Sequence, residues 1–594
     1  MRITTILLVT MLLSMPHAGL TTAKPGPFIG DVDHHLIVRF KPGVWIPTVP
    51  LTKRLPTTLN RALDELAAQW GLSEIERLTP ALSQPSENAQ PLNQGLRLTP
   101  PAQAMTLWRA YGLDRTVLLR FARPINPQRL AALLVQRYPD LIEFAEPDSL
   151  DQPSLIPNDQ FFPIQWHLNP TTLSTGERTD IFATEAWDIT TGEPDVVIAV
   201  IDAGFDLDHP DLRGKLFVNP GEIPDNGIDD DLNQLVDDVI GWDFTRRDNV
   251  PEAETGHGTW VAGLAAMHTN NALDAAGVSW GSRILPLKAG DATGIYISQQ
   301  VQAINYAIAM MPHGVRVINM SFGGASVNQT RELALRAAQQ AGLLVVAAAG
   351  NQGADNDLTP IYPAQYSTTM DNVIAVTATD RFNRRPFFAN YGRSSVDLAA
   401  PGSGIFGITA RAPIPLGSET GHITWQGTSA ATAIVSGIAA LIYSQFPTLT
   451  PLQVKYRLRG SVDRLPDFRE RTVAGGRVNA LRALETDEVA PAPIRDARVL
   501  GSNDAPLLVW TATGDDDDQG QAMFYEIRYL TSPMTPDNIK LAQKLPNAPF
   551  PQPAGTVEQV ILPRSLPPGT YYFIIRVWDN VGNHAESNQV VVTR

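Results

Sequence analysis

Runs of apolar residues alternate with amphipathic stretches through the middle of the chain, from residue 184 to residue 484. Several of these runs are continuously apolar, which is typical of strands buried on both faces of a parallel sheet. The stretches 298–310 and 330–340 between them have helical spacing. This alternation predicts an α/β domain in which helices connect parallel strands. The strands are expected at residues 195–201, 283–286, 315–320, 343–348, 373–378 and 397–400.

A smaller α+β unit is predicted before this domain, over residues 31–148. Asn126 and Pro127 are typical of the first turn of a helix, which we expect to run to residue 137. A second helix is expected at residues 59–70, and the proline-, glutamine- and serine-rich stretch 78–103 predicts a loop. The strands of this unit are expected at residues 36–40, 117–121 and 141–144.

Short strand-like runs separated by turn residues characterise residues 491–594. Their spacing predicts an all-β sandwich of about 100 residues. The unit resembles a fibronectin type III domain. In such sandwiches a tyrosine near a turn makes a buried corner hydrogen bond, and Tyr572 is the residue expected in that role. The strands are expected at residues 507–510, 524–529, 560–562, 571–577 and 590–593.

Residues 1–23 have the three regions of a secretory signal peptide. Arg2 supplies the positive start, residues 6–15 are the apolar centre, and Ala23 is a small residue before the expected cut. No later stretch reaches roughly eighteen uninterrupted apolar residues, so no membrane span is expected. The proline-rich segment 149–165 predicts a linker and processing region. We therefore expect a secreted protein, extracellular or periplasmic.

The chain is acidic, with a formal net charge of −15. Nucleic-acid recognition needs a basic surface, so this balance argues against that function class. The chain also has no cysteine. Disulfides, thiolate catalysis and cysteine-ligated zinc are therefore excluded.

Four polar residues follow strands or open helices in the central domain. Asp202 and Asn351 each follow a buried strand, and the carboxyl ends of such strands collect catalytic groups. His257 and Ser429 each open a helix, whose first turn favours developing negative charge. Taken singly, each residue has a structural interpretation as well: Asp or Asn in a turn, His held by backbone groups, Ser as a helix cap.

Together, these segments resemble the subtilisin-like serine proteases over residues 155–484. The order Asp202, His257, Ser429 is the subtilisin order and differs from that of chymotrypsin-like enzymes and α/β-hydrolases. The resemblance implies a subtilisin-like parallel-sheet catalytic domain at residues 166–486. The small unit at residues 31–148 resembles the inhibitory propeptide of the family. The matching motifs are Asp202-Ala203-Gly204, Gly256-His257-Gly258-Thr259, Ala349-Gly350-Asn351 and Gly427-Thr428-Ser429.

The resemblance implies a role for each of the four residues. Ser429 would attack the peptide carbonyl after His257 takes its proton. Asp202 would hold the imidazole tautomer and stabilise the imidazolium. Asn351 and the backbone N–H of Ser429 would stabilise the oxyanion.

The resemblance also locates the substrate. Residues 319–324 would form an edge that pairs with the substrate backbone. Ile361 stands where family members often carry glycine at the floor of the specificity pocket. We therefore expect a shortened pocket that prefers small or medium apolar residues over Arg or Lys. The pocket walls would be Ser321, Phe322, Gly323, Ala348, Ala349 and Gly350.

Three residues depart from the family pattern. Ala430 and Ala433 stand where many relatives have Met and Pro, and Trp260 replaces a frequent His. None of the three is one of the four catalytic positions, so the departures concern helix packing and the pocket rather than the nucleophile.

An acidic loop lies between Asp202 and His257. Clustered carboxylates repel one another unless solvent or a cation relieves the repulsion. The loop is therefore either a solvated surface or a structural Ca²⁺ site like those of related secreted subtilases. Leu232 and Gln234 stand where such loops often contain glycine. The candidate ligands are Asp229, Asp231 and Asp237.

Asp211 and Asn271 match a second calcium site of the family, with Asp274 in place of its usual glycine. The acidic turn 515–518 has two interpretations, another Ca²⁺ site or a solvated β-turn. No organic cofactor is expected.

These expectations combine into a secreted endopeptidase made as a zymogen. Its partners would be peptide or protein substrates and its own propeptide. The alternative is a catalytically silent relative that binds through its β-sandwich. An esterase with the same triad is a third interpretation, although an edge that pairs with a substrate backbone favours peptides.

Overall fold

The computed structural model describes residues 31–42, 44, 68–79, 102–149, 155–170, 176–487, 489–501, 506–545 and 548–593. The signal peptide expected at residues 1–23 and most of the helix expected at 59–70 lie outside the described residues. The chain forms two compact units, Met1–Pro153 and Ser154–Arg594. No helix in the described part of the chain is long and apolar enough to cross a membrane.

The described part of the first unit is an antiparallel sheet with two helices. Its elements are β1 Asp31–Phe40, β2 Leu72–Arg77, α1 Ala102–Tyr111, β3 Thr116–Phe121, α2 Pro127–Arg137 and β4 Ile142–Ser149. The strand order is β2-β3-β1-β4. Asn126 caps α2, because its side chain accepts a hydrogen bond from the Arg129 N–H at 2.9 Å. Neither β2 nor α1 was expected from the sequence, and α1 begins inside the predicted loop.

The second unit is built on a nine-stranded sheet with the order β16-β17-β13-β12-β11-β10-β5-β7-β6. All neighbours are parallel except β16 and β17. Its strands are β5 Val197–Asp202, β6 Trp242–Asp243, β7 Arg283–Lys288, β10 Val315–Met320, β11 Leu344–Ala348, β12 Val373–Thr379, β13 Leu398–Pro401, β16 Asp463–Arg464 and β17 Gly476–Arg477. Two small hairpins lie outside this sheet: β8 Gly290–Asp291 with β9 Gly294–Ile295, and β14 Ile405–Ile408 with β15 His422–Trp425.

Helices cover both faces of this sheet. Ile198 and Val200 of β5 belong to one apolar cluster, and Val197, Ala199 and Ile201 belong to another. A strand buried on both faces in this way explains why its sequence is continuously apolar. The helices are α3 Ala183–Ile189, α4 Pro210–Arg213, α5 His257–Ala266, α6 Ile297–Ala309, α7 Gln329–Ala341, α8 Thr428–Gln445, α9 Pro451–Gly460 and α10 Ala480–Leu484.

Residues 491–593, here called the C-terminal β region, form two antiparallel sheets. One sheet contains β18 Arg498–Leu500, β19 Leu507–Thr511 and β22 Val557–Ile561; the other contains β20 Phe524–Leu530, β21 Gln543–Lys544, β23 Thr570–Trp578, β24 His584–Glu586 and β25 Val590–Thr593. Trp510 from the first sheet and Ile527 and Phe573 from the second share one apolar cluster.

The prediction that Tyr572 forms the corner hydrogen bond is wrong by one residue. The hydroxyl of Tyr571, not Tyr572, donates to the carbonyl of Pro567 at 2.8 Å. Successive side chains of a strand point to opposite faces. On β23, Tyr571 points into the apolar cluster shared by the two sheets, and Tyr572 points to the other face.

The C-terminal β region packs on α9 through an aromatic and ionic contact. The Tyr456 ring on α9 stacks on Trp578 with ring centroids 3.8 Å apart, and its hydroxyl donates to Glu526. Lys544 pairs with Glu526 at 3.2 Å and with Asp371 at 3.3 Å. Burial opposes ionisation of Glu526, but the charges of Lys544 and Arg528 outweigh it and hold the pKa of Glu526 well below its usual range.

Candidate active site

Asp202 and His257 meet at the carboxyl end of the sheet. Asp202 is the last residue of β5 and is 2% exposed, while His257 is the first residue of α5. The His257 Nδ1 lies 2.9 Å from each carboxylate oxygen of Asp202. A Cβ on Gly258 would lie 2.3 Å from the Gly204 carbonyl, so only glycine lets α5 approach the strand end this closely.

The carboxylate sets the proton affinity of the imidazole. Burial alone lowers the pKa of His257, but the charge and hydrogen bond of Asp202 outweigh this effect and raise the pKa above its ordinary value. The same hydrogen bond places the ring proton on Nδ1 and leaves Nε2 free to accept a proton. The pair is therefore arranged as an oriented general base.

Two tryptophans surround the His257 ring. Trp425, the last residue of β15, stands edge-on to the imidazole with ring centroids 5.9 Å apart and an interplanar angle of 87°. Trp260, one turn along α5, lies 5.4 Å from Trp425 and 6.3 Å from His257, measured between ring centroids. Trp260 is the residue that replaces a frequent His in the family. The position of Trp425 beside His257 has no local sequence signal, because it depends on the β14–β15 hairpin packing against α5.

Ser429 lies in the first turn of α8 and is 6% exposed. Its hydroxyl donates to the carbonyl of Ser321 at 2.9 Å, and the Ser321 hydroxyl donates to the Ser429 carbonyl at 3.0 Å. This reciprocal pair ties the start of α8 to the segment after β10. The Ser429 hydroxyl must rotate away from Ser321 before it can donate to the imidazole, and catalytic hydrogen bonds are often loose in a free enzyme.

Asn351 is oriented by Thr428, the first residue of α8. The Asn351 Oδ1 accepts from the Thr428 N–H at 2.9 Å and from the Thr428 hydroxyl at 3.0 Å. Its Nδ2 lies 3.5 Å from the position that a Cβ on Gly427 would occupy. The amide therefore presents its donor end beside the Gly427–Ser429 backbone, which is the geometry of an oxyanion site. Thr428 acts through Asn351 and was not singled out from the sequence.

We expect Asn351→Leu to lower kcat by about 10²–10³-fold with little change in KM, because its amide donor serves charge that develops in the transition state; this range was measured in subtilisin. Thr428→Val should also lower kcat, by a smaller factor, because it removes the hydroxyl that holds the amide. Thr428→Ser keeps that hydroxyl and serves as the control. Steady-state kinetics on a peptide substrate measure all three, and a Thr428→Val variant with unchanged kcat would contradict the orienting role.

The predicted pocket walls follow two neighbouring strands. Residues 321–323 continue from β10 and residues 348–350 end and follow β11, and these strands pair in parallel. A Cβ on Gly323 would lie 2.6 Å from the Ile361 Cγ2 and 3.7 Å from the Ala348 carbonyl oxygen. Ile361 thus lies directly against the backbone of Gly323. The next residue, Tyr362, exchanges backbone hydrogen bonds with Gly324.

Comparison with known proteins identifies the family. A model of the subtilase family matches residues 193–479. Thermitase from Thermoactinomyces vulgaris is 35% identical over 309 residues, which are 51% of this chain and 94% of thermitase. The chain belongs to the subtilase family. Membership assigns it to the serine endopeptidases.

Two other relatives of this subtilase differ in how far they match. A thermophilic serine proteinase from Bacillus sp. strain AK1 is 36% identical over 306 residues. That match covers 51% of this chain and 64% of the relative, so the chain spans less than two thirds of that protein. An extracellular protease from Xanthomonas campestris pv. campestris is 30% identical over 80% of this chain and 76% of its own length.

The acidic loop of this subtilase brings together a different set of carboxylates from the predicted one. Among the described residues, oxygens of Glu222, Asp231 and Asp238 all lie within 4.8 Å of one another. Asp229 and Asp237 lie outside this group and accept backbone N–H groups of their own loop instead. Of the three predicted ligands, Asp231 belongs to this group, and Glu222 and Asp238 are its other members.

The carboxylate group fits a hard cation. Glu222 is 7% exposed, and its Oε2 is buried without a hydrogen-bond partner. Burial raises the pKa of Asp238, and the nearby negative charge of Asp231 adds to this increase. Leu232 and Gln234 take φ values of 62° and 75°, the left-handed conformation that glycine adopts most readily.

The second predicted calcium pair is also close together. The Asn271 Nδ2 donates to Asp211 Oδ1 at 2.8 Å, and the Ala275 N–H donates to Asp211 Oδ2 at 3.2 Å. Burial raises the pKa of Asp211 to about 6. Asp159, which the sequence analysis placed in the linker, is buried beside this pair and accepts from the Asn270 N–H at 2.7 Å.

The helix that carries Ser429 accommodates the departures from the family pattern. Ala430 and Ala433 are both fully buried in the main apolar cluster, as is Trp260 at 1% exposure. All three departures therefore lie within one apolar cluster, two on α8 and one on α5.

Proposed function

We propose that this subtilase is a secreted serine endopeptidase made as a zymogen, which hydrolyses peptide bonds through an acyl-enzyme. The observation that carries the proposal is the arrangement of an Asp202-oriented imidazole and a Thr428-oriented Asn351 amide around the start of α8. A binding protein has no need for an oriented base or an oriented donor. The catalytically silent alternative is therefore not favoured.

Each group contributes one part of the reaction. His257 takes the hydroxyl proton of Ser429 at Nε2 as the oxygen attacks the peptide carbonyl. Asp202 stabilises the resulting imidazolium. The Asn351 Nδ2 and the Ser429 N–H stabilise the oxyanion. His257 then donates the proton to the leaving amine, and water repeats the sequence to release the acid.

Residues 1–23 and 31–148 supply the secretion and zymogen parts of the proposal. The first segment has the regions of a signal peptide, and the second would block the active site until it is removed. The Xanthomonas relative, which matches 80% of this chain, is an extracellular protease, and this supports the proposal of secretion. Processing would fall in the proline-rich segment 149–165.

Mass spectrometry and covalent labelling test this proposal together. The secreted protein should lack both N-terminal segments, and a fluorophosphonate should add to Ser429 of the processed form. A Ser429→Ala chain carried through the same steps is the control. An unprocessed product would contradict the zymogen proposal, and a processed form that takes no label would favour the silent alternative.

We further propose that Ile361 limits the pocket to small or medium apolar residues. Its Cγ2 lies against Gly323, where glycine would leave space for a larger substrate side chain.

We compare kcat/KM for a peptide with Phe immediately before the scissile bond with kcat/KM for the same peptide with Ala there. Ile361→Gly should raise the Phe-to-Ala ratio by about tenfold or more, because one or a few methylene groups in a pocket discriminate between substrates by factors of this size. Ile361→Val is the matched variant and should move the same ratio only slightly. The ratio is measured with two peptides on one preparation, so the amount of active enzyme cancels. An unchanged ratio, or rapid cleavage after Lys or Arg by the parent, would contradict the proposed pocket.

We propose in addition that Glu222, Asp231 and Asp238 hold a structural Ca²⁺, for which their hard oxygen donors are suited. EDTA should then lower the Tm of the Ser429→Ala chain by about 5 °C, because a ligand that binds only the folded state stabilises it. Asp231→Asn should remove part of this shift, measured by differential scanning fluorimetry. A Tm that EDTA leaves unchanged would show that no cation is structural here.

A further inference from the structure

Two aspartate-containing turns of the C-terminal β region lie against the segment that follows α10, residues 485–487 and 489–492, here called the linker. In the first, at residues 515–519, the Asp517 N–H donates to the Ala490 carbonyl at 3.0 Å, and the Asp517 carbonyl accepts from the Ala492 N–H at 3.0 Å. The linker therefore pairs with this turn as a short strand would.

The second turn, at residues 579–583, contacts the same linker. The Asn583 Nδ2 donates to the Asp487 carbonyl at 3.0 Å. The backbone N–H of Asn580 lies near the Asp515 carboxylate, and the negative charge of Asp579 acts on the same carboxylate, so the two turns are adjacent. The side chains of Asp515 and Asp579 are thereby held close to each other at the junction of three segments.

Several residues of this junction carry buried side-chain oxygens without hydrogen-bond partners. Asp579 is 0% exposed, and its Oδ1 accepts three backbone N–H groups of its own turn at 2.7–3.0 Å. Its Oδ2 has no hydrogen-bond partner. Native structures rarely leave such groups unsatisfied, so several of them in one place call for a ligand. The unpartnered buried oxygens are Thr513 Oγ1, Asp515 Oδ1, Asp579 Oδ2 and Asn580 Oδ1.

The end of α9 keeps the second turn away from solvent. A Cβ on Gly460 would lie 2.6 Å from the Asn580 carbonyl oxygen and 2.8 Å from that of Asp579. The helix backbone therefore lies directly on the turn, and glycine is what permits the contact.

The positive charges near the junction are already engaged elsewhere. Arg464, whose charge acts on Asp515, donates to the carbonyls of Ala522 and Met523.

Arg457, whose charge acts on Asp579, donates to the carbonyls of Ala483 and Glu485. In the described part of the chain, neither guanidinium comes within the 4.0 Å of an ion pair with Asp515 or Asp579.

The electrostatics agree with the geometry. Burial raises the pKa of Asp515 to about 6, and the negative charges of Asp579, Asp516 and Asp487 add to the effect. Burial likewise raises the pKa of Asp579 to about 6. Both carboxylates therefore lie in surroundings that disfavour their negative charge, and a bound cation would offset that cost.

We propose that a divalent cation, Ca²⁺ by its chemistry, binds between the turns 515–519 and 579–583 and fastens the C-terminal β region to the linker. In this proposal Asp515 Oδ1, Asp579 Oδ2 and Asn580 Oδ1 are the core ligands, and the buried Thr513 hydroxyl, which also has no partner, is a fourth candidate. Carboxylate, amide and hydroxyl oxygens are ligands that Ca²⁺ accepts in flexible geometry, whereas zinc and copper favour nitrogen and sulfur.

The test counts calcium ions per chain. The full chain carrying Ser429→Ala, stripped with EDTA and dialysed against CaCl₂, is compared with the same chain carrying Asp515→Asn or Asp579→Asn. Asn at residue 579 keeps the Oδ1 acceptor of the turn, so the fold is expected to survive. Each variant should bind one Ca²⁺ fewer than its parent. Asp231→Asn, in the acidic loop, is the matched control and should lose the Ca²⁺ of the other proposed site. The double variant Asp231→Asn, Asp579→Asn should therefore bind two Ca²⁺ fewer than the parent.

Thermal unfolding gives the second readout. In EDTA at neutral pH, Asp515→Asn should unfold at the same temperature as the parent or higher, because it removes a repelling charge. With CaCl₂ present, the parent should gain more in Tm than the variant. Full calcium stoichiometry in both Asn variants would overturn the proposal, as would a calcium-induced Tm shift equal to that of the parent. Because the test uses an inactive chain, its outcome is independent of the proposed protease activity.

Discussion

Ser429→Ala should lower kcat by about 10⁶-fold and abolish labelling by a fluorophosphonate, a size measured for the nucleophile of subtilisin. The hydroxyl of Ser429 is at the first turn of α8, where its own N–H and the Asn351 amide flank the position of the oxyanion. Alanine keeps the helix and the donors but removes the atom that forms the acyl bond. The residual activity would come from the oxyanion site and substrate binding alone.

The control for this variant is Ser444→Ala, at the other end of the same helix. Ser444 donates to the Ala440 carbonyl and accepts from the Glu193 N–H, far from the catalytic groups. It should retain parental kcat and full labelling. Peptide hydrolysis and intact mass measure both variants, and the Ser429→Ala chain should also keep its N-terminal segment if processing is autocatalytic. Parental activity in Ser429→Ala would remove the basis of the proposed mechanism.

The places in the fold of the proposed catalytic residues were predictable, because each of these residues follows a strong local pattern. The run 196–201 is apolar throughout, so it had to be a strand buried on both faces, and the polar residue after it had to lie at the sheet edge. Gly256 and Gly258 around His257 similarly predicted close packing at a helix start. Such features depend on neighbouring residues, which is why the sequence contains them.

The supporting residues were not predictable, because they depend on contacts between distant segments. Thr428 orients Asn351 across 77 residues of sequence, and Trp425 reaches His257 only after β15 folds over α5. In each case the local sequence describes an ordinary helix start or strand end.

An irregular loop explains why the observed acidic group differs from the predicted ligands, and an alternating strand explains why the tyrosine prediction was wrong by one residue. The acidic loop has six aspartates within a short stretch, and only its turns decide which oxygens converge. Glu222 was missed because it precedes that stretch and joins the group through the fold. Tyr571 and Tyr572 are adjacent on β23, where a one-residue difference places a side chain on the opposite face. Neither choice can be made from composition.

Asp202→Asn should lower kcat by about 10⁴-fold while leaving the geometry of the site nearly intact. Asp202 Oδ1 accepts from the Ala203 N–H at 2.8 Å, so the amide oxygen of Asn is expected to stay there. The amide NH₂ would then face the His257 Nδ1. A donor in that position favours the tautomer with the proton on Nε2, which cannot accept the proton of Ser429.

The same variant should shift the pH dependence of kcat/KM. His257 must be neutral to act as a base, and Asp202 raises its pKa in the parent, so parental activity should rise with pH through a midpoint above the ordinary value for His. Without the carboxylate the charged imidazole loses its stabilisation. The acid limb of the profile, the part in which activity rises with pH, should therefore move to lower pH. Asp208→Asn, an exposed neighbour, should leave both kcat and the limb unchanged. An Asp202→Asn variant whose acid limb does not move would show that another group sets the proton affinity of His257.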